Sequence, residues 1–342
     1  MIPVLQQALR KLSQGDSLTA AEATEAFGAL MRGEASPALV AALLVALRVK
    51  GETADELAGA AAALRAVMVP LASDGRVLVD TCGTGGGAVA TINLSTAAAF
   101  VARGAGIRLA KHGNRSFTSS CGSADVLEAL GVDILLPPER AAAVLRETGI
   151  VFLFAPTYHP AMRHVAPVRR ELGIATVMNL VGPLANPAGA RRQVVGVADR
   201  ARAPLVAQAL ARLGAEHALV VHGTVGMDEI SPSGPTEVWE VRAGSVREWT
   251  IDPGRLGLKH DDLASLAGGA PPENARRIEA VLGGSERGAA RAAVLLNAAA
   301  AILVAGAEAS FEAALERAGE ALDSGAAKDA LDRLRAAAPR TG

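Results

Sequence analysis

The chain has 342 residues, half of them hydrophobic, 20% charged and 3% aromatic, with 34 Lys and Arg against 35 Asp and Glu for a formal net charge of -1. That length suits one large domain or two unequal ones with a sizeable core, and the balanced charge argues against a protein built to coat nucleic acid, whose footprint is a basic excess. The longest apolar runs, 38–46 and 292–306, are ended by Arg48 and interrupted by Asn297, so neither reaches the roughly 18 apolar residues of a membrane span.

Residues 1 to about 70 read as helical throughout. Thr19-Ala20-Ala21-Glu22 and Thr53-Ala54-Asp55-Glu56 fit capping boxes, and Ser36-Pro37 fits an N-cap followed by a first-turn proline. Met1 to Gly15 lacks the apolar core of a signal peptide. From Val77 the pattern changes to short apolar strands, "VLVD" (77–80), "IRLA" (107–110), "IVFLF" (150–154), "QVVGV" (193–197) and "HALVVH" (217–222), separated by helical patterns near 95–105, 123–130, 139–147, 161–172 and 204–213. Strands alternating with helices predict a mostly parallel sheet covered on both faces. "TEVWEV" and "SVREWTI" predict a hairpin around Ala243-Gly244, and the chain from about Pro272 reads as helices, with Ser310 and Ser324 as caps. The fold class is therefore α/β: a small bundle of helices over residues 1 to about 70, then an α/β region with a central, mostly parallel sheet flanked by helices. Cys82 and Cys121 form no CxxC or zinc pattern and suit a reducing cytoplasm.

Five segments could carry chemistry or shape a site. In "VDTCGTGGGAVATINLST" (79–96), Gly83, Gly85, Gly86 and Gly87 follow a strand, and Asn93, Leu94, Ser95 and Thr96 sit where a helix begins. Glycines let backbone amides approach a ligand, and a helix start favours phosphate. Neither GxxxxGK[ST] nor GxGxxG is matched, and alone the segment is a tight strand-to-helix turn. "KHGNRS" (111–116) follows the next strand, and both loops open at the carboxyl edge of the sheet, where ligands collect in α/β proteins. Lys111 and the amides of 112–119 could cradle a phosphate, His112 and Asn114 could orient an organic substrate, and Ser123 adds a donor. Arg115 is equally an ion pair or a ligand contact. "GMDEIS" (226–231) supplies Asp228 and Glu229; Mg²⁺ takes one or two carboxylates plus phosphates and waters, although an isolated acidic pair is ordinarily an exposed turn. In "YHPAMRHVAPVRRELG" (158–173), Arg169 and Arg170 point about 100° apart on a helix, so only one can hold a carboxylate bidentately. "NLVGPLANP" (179–187) could wall a pocket or hinge two domains.

The set "GTGG…NLST", "KHGNRS…CGSADVLEALG", "YHPAMRHVAPVRRELG", "NLVGPLANP" and "GMDEIS" in this order, with the helical start and "AAVLLNAAAAILVAG" near the end, resembles the anthranilate phosphoribosyltransferase family from about residue 15 to 335. The resemblance implies a helical domain (1–70, with helices from about 160–185) beside a larger α/β domain (71–342), and transfer of the phosphoribosyl group of 5-phosphoribosyl 1-diphosphate to the amine of anthranilate, a step of tryptophan synthesis that uses Mg²⁺, by a homodimer joined through its helical domains. It implies that Gly83 lies between the substrates. Gly86, Gly87, Thr91, Asn93, Leu94, Ser95, Thr96, Lys111, His112, Gly113, Asn114, Arg115, Ser116, Phe117, Thr118, Ser119 and Ser123 would hold the phosphoribosyl diphosphate. Ser95, Asp228 and Glu229 would hold Mg²⁺, and Asn114, Arg169, His112, His159 and Pro183 would meet anthranilate. Lys111 and Glu229 would carry catalysis by stabilising the departing diphosphate, since a neutral aromatic amine needs no strong base. Most of the family has an aspartate at the position of Gly87, and a basic residue is frequent at that of Ser120. Related pyrimidine nucleoside phosphorylases share versions of the KHGNR and GSAD segments but carry an extra C-terminal domain. The remaining alternative is a non-catalytic paralogue that binds nucleic acid.

Overall fold

The computed structural model describes residues 3–116 and 120–340. Four helices open the chain: α1 (Pro3–Ser13), α2 (Ala20–Met31), α3 (Pro37–Lys50) and α4 (Ala54–Val67). Thr19 and Thr53 both close true capping boxes with Glu22 and Glu56, and Ser36 accepts from the Leu39 amide ahead of a first-turn proline. These caps satisfy amides that have no partner inside a helix.

The α/β region then runs β1 (Val79–Gly83), α5 (Leu94–Gly104), β2 (Leu109–Gly113), α6 (Ser123–Ala129), α7 (Pro138–Thr148), β3 (Ile150–Phe154), α8 (Ala155–Tyr158), α9 (Ala166–Leu172), α10 (Met178–Val181), β4 (Arg192–Gly196), α11 (Ala203–Arg212), β5 (His217–Gly223), β6 (Thr236–Arg242) and β7 (Ser245–Ile251). It closes with α12 (Pro271–Leu282), α13 (Ala289–Ala305), α14 (Phe311–Asp323) and α15 (Ala326–Ala337). The seven-stranded sheet has the order β3-β2-β1-β4-β5-β6-β7. Its first five strands are parallel, and β6 and β7 add the expected antiparallel hairpin. Two local readings need correction. Strand β2 extends to Gly113, so Lys111 and His112 lie on the strand rather than after it. The helix expected over 161–172 is a 3-10 turn (Pro160–His164) followed by α9, because Pro160 and Pro167 cannot supply interior amide donors. Ser324 closes α14, and Gly325 in a left-handed conformation precedes α15.

Alternation along the strands divides the interior. Val194, Leu219, Val221 and Val238 face one apolar cluster, formed with α5, α13, α14 and α15. Val195, Val197, Ala218, Val220 and Trp239 face another, shared with α1–α4, the 160–185 segment and α11. Successive strand residues point to opposite faces, so the sheet is the wall between the two clusters. β1 has β2 on one side and β4 on the other, and this reversal of strand order opens a crevice at the carboxyl ends.

Candidate active site

The crevice forms where β1, β2, β4 and β5 end, at Gly83, Gly113, Gly196 and Gly223. The acidic turn after β5 folds back over them. A Cβ on Gly196 would stand 1.6 Å from the Asp228 carbonyl oxygen, and one on Gly87 would stand 2.9 Å from Asp228 Oδ1. The bare backbone at these points lets the Asp228 loop lie directly on the strand ends. Gly83 also abuts the Asp228 carboxylate, whereas Gly85 and Gly86 (φ 67° and 81°) form the exposed turn of the GTGG loop.

Thr81, Ser95, Gly196, Asp228 and Glu229 line one small cleft. Glu229 accepts from Thr91 Oγ1 at 3.0 Å and from the Ser95 amide at 3.3 Å, so the start of α5 holds a carboxylate, as the helix dipole favours. The Glu229 carboxyl is nevertheless pushed up to about 8, first by burial and then by the charge of Asp228, whose own carboxyl is raised by burial. Lys111, 4% exposed, reaches in from β2: its Nζ donates to the Thr81 carbonyl and to Ser95 Oγ at 3.1 Å. Burial pushes the Lys111 ammonium below the usual lysine value, and the charges of Asp80, Cys82 and Glu229 oppose that shift. Leu94 and Thr96 are buried in the first turn of α5, with Thr96 Oγ1 unpartnered among the described residues. Asn93 is turned away from a capping role: its Nδ2 donates to the Cys121 carbonyl and its Oδ1 accepts from Asn274.

Because β2 alternates, His112 points to the opposite face from Lys111. There its ring lies 4.9 Å from that of His159. Among the described residues, His112 Nε2 is buried without a partner, and the buried His159 ring has the backbone of Ala185 near it. Burial, followed by the neighbouring His159, takes His112 down to about 3, and burial takes His159 down to about 4, so both rings are neutral at pH 7. Pro183 is buried near the same face, its carbonyl approached by Cys82 Sγ and by Gln193 Nε2. Arg169 is half-buried, with its guanidinium 3.5 Å from Asn179 Oδ1 and no carboxylate of the described residues within ion-pair distance. Arg170 is exposed.

The rest of the KHGNRS region is bound to α6. The Asn114 carbonyl accepts from the Ala124 amide and Ser123 Oγ, and Asp125 accepts from the Ser116 and Gly122 amides. The Arg115 side chain pairs with Asp125 and Glu128, which is the structural ion pair left open above. Ser120 Oγ donates to the Gly269 carbonyl. Phe117, Thr118 and Ser119 lie outside the described residues.

Several residues that the sequence did not mark as part of the site shape it. Asn297, on the buried helix α13, accepts from the Ile230 amide and donates to its carbonyl at 3.1 and 3.0 Å, fixing the chain beside Glu229. Its signal was one amide in an apolar run. Asp80 on β1, Gln193 on β4 and Asn186 in the 179–187 segment are buried polar residues.

The chain matches the helical bundle domain of a glycosyl transferase family over residues 6–68 and the a/b domain of a glycosyl transferase family over residues 75–328. It is 54% identical over 331 residues to an anthranilate phosphoribosyltransferase of Rubrobacter xylanophilus, covering 97% of this chain and 96% of that one. The chain belongs to the anthranilate phosphoribosyltransferase family. The crystal structure of the anthranilate phosphoribosyltransferase of Thermus thermophilus matches it with a TM-score of 0.91 and 47% identity, over 96% of this chain and 98% of that one. The Saccharomyces cerevisiae anthranilate phosphoribosyltransferase in complex with PRPP and Mg matches with a TM-score of 0.89 and 29% identity, over 97% of each chain.

Proposed function

We propose that this chain transfers the phosphoribosyl group of 5-phosphoribosyl 1-diphosphate (PRPP) to the amine of anthranilate, releasing diphosphate. The observation that carries the reading is the cluster of Lys111, Ser95, Asp228 and Glu229 at the carboxyl ends of the sheet. A sunken ammonium and two crowded carboxylates at a helix start suit a substrate that is anionic and metal-bound. Two buried carboxylates side by side, with Glu229 pushed up to about 8 by burial and then by the charge of Asp228, fit a divalent cation. Asp228, Glu229 and Ser95 Oγ would hold Mg²⁺, with substrate phosphates and waters completing its oxygen shell. When bound, Mg²⁺ supplies charge neutralisation for the departing diphosphate.

Lys111 adds a fixed cation on the same side, aimed where negative charge develops as the C1′–O bond breaks; a preorganised donor in a water-poor cleft needs no reorganisation at that moment. The GTGG turn contributes backbone donors for the phosphoribosyl group, whereas the amides of His112, Arg115 and Ser116 are engaged by Asp80, Asn114 and Asp125. The amine approaches from the other face of β2, where His112, His159 and Pro183 offer a neutral, ring-lined wall. Asn114, just beyond the end of β2, meets the acceptor, and Arg169 pairs with the anthranilate carboxylate. No side chain has to remove a proton before attack, and holding the two substrates in line supplies the remaining acceleration. Arg115 belongs to the scaffold of this site through its two carboxylate partners. We infer a helical domain of residues 1–70 with 160–185 and an α/β domain of 71–342, a reading supported by the shared apolar cluster of α1–α4 and the 160–185 segment. We infer also that two chains pair through the helical domain, and that the reaction runs in the cytoplasm, where the thiols of Cys82 and Cys121, which form no disulfide, are kept reduced.

The test is loss of anthranilate fluorescence with PRPP and Mg²⁺, with the product identified by chromatography. Lys111→Met and Glu229→Gln should each lower kcat by about 100-fold or more at an almost unchanged unfolding midpoint. Wild-type turnover in both variants would refute the assignment.

A further inference from the structure

Lys111 sits between two backbone anchors. The carbonyl before it, on Ala110, accepts from Asn186 Nδ2 at 2.8 Å, and the amide after it, on His112, donates to Asp80 Oδ1 at 3.0 Å. Asp80 lies beside Gln193 in register on the parallel pair β1 and β4, and Gln193 Nε2 stands 3.5 Å from Asp80 Oδ2 and donates to the Pro183 carbonyl at 2.9 Å. All three side chains are buried, with Asp80 at 0%, Gln193 at 1% and Asn186 at 3% exposure. Asn186 and Pro183 belong to the same Gly/Pro-rich segment, which is also tied to α4 by Arg65 Nε donating to the Leu184 carbonyl at 2.7 Å.

We propose that Asp80, Asn186 and Gln193 are positioning residues that lock the strand bearing Lys111 and His112 to the segment bearing Pro183, and so set the spacing between the phosphoribosyl-diphosphate side and the acceptor side. This rests on the transfer reading above. An apolar strand would bury more favourably if these positions were Val or Ile, and a buried carboxylate is unfavourable without partners. The side chains instead direct their hydrogen bonds to backbone groups that flank Lys111 and His112 and to the carbonyl of Pro183. That choice fixes main-chain positions on both sides of the crevice, which sheet pairing alone does not do, because the 179–187 segment is not part of the sheet. Gln193 is the connection that reaches the acceptor side, so its loss should be felt by one substrate.

The experiment is steady-state kinetics of Gln193→Met, which keeps the volume and deletes the donor, with each substrate varied in turn and unfolding followed in urea. The expected result is a rise in the KM for anthranilate of about tenfold, the usual scale for a buried carbonyl left unpaired, with the KM for PRPP within about twofold. If Gln193→Met does not fold, Gln193→Glu, equal in size but with an oxygen facing Pro183, is read in the same way. Equal rises in both KM values, or lowered stability with unchanged kinetics per folded molecule, would overturn the inference while leaving the transfer reading intact. Wild-type protein that transfers nothing would overturn both.

Discussion

Arg169 and Arg170 are adjacent in sequence, and the helix period alone says only that they diverge. The structure places Arg169 half-buried beside Asn179 without a carboxylate partner among the described residues, and Arg170 in solvent. A half-buried guanidinium without a counter-ion is poised for an anionic ligand, and charge-assisted pairs are worth about 1.5–3 kcal/mol. Arg169→Ala should therefore raise the KM for anthranilate by about 10–100-fold, while Arg170→Ala should change it by less than about twofold. Equal effects in the two variants would remove Arg169 from the acceptor site. Lys111, Asp228 and Glu229 were marked as candidates by residue type and given roles by the family resemblance; the structure brings all three to one end of the sheet. Asp80, Gln193 and Asn186 were not legible, because a polar residue in a short strand gives no sign of which backbone group it will meet across the sheet.

Among the elements, the first four helices were the most legible, since capping boxes and a first-turn proline are local chemistry. One long-range bond inside this bundle was not. Glu56, besides closing its capping box, accepts from the Leu18 amide at 2.9 Å and from Lys50 Nζ at 3.0 Å, with the Lys50 and Glu56 side chains 8% and 0% exposed. It ties the loop before α2 and the end of α3 to the start of α4. Removing one partner of a buried pair leaves an uncompensated charge, at a cost of about 3–5 kcal/mol. Glu56→Ala should lower the urea midpoint by a matching amount; a loss below about 1 kcal/mol, the scale of an exposed pair, would show that solvent already screens the site. Strand β2 is the instructive error of this scale. "IRLA" carries the apolar signal, but the strand runs through Lys111 and His112, because a parallel strand in the middle of a sheet continues as long as its neighbours pair with it, whatever the polarity of its last residues.

For the whole molecule, no helix among the described residues is long and apolar enough to cross a membrane. Val49 is 81% exposed at the end of α3 and Ile174 is 50% exposed just after α9, both on the helical-bundle side. Light scattering should give the mass of two chains, and Val49→Asp should shift the equilibrium towards one; a wild-type mass of one chain would end the homodimer reading. By itself the sequence determined the succession of capped helices, the alternation of strand and helix, and the donor-rich and acidic loops, because caps, periods and turn residues act between near neighbours. The tertiary structure alone decided that Lys111 and His112 serve opposite faces of one strand, that glycine strand ends let Asp228 and Glu229 close over Ser95, and that Arg115 is engaged by α6. Each of these depends on which strands became neighbours and on how closely their ends could be approached, and neither is encoded in any short stretch of chain.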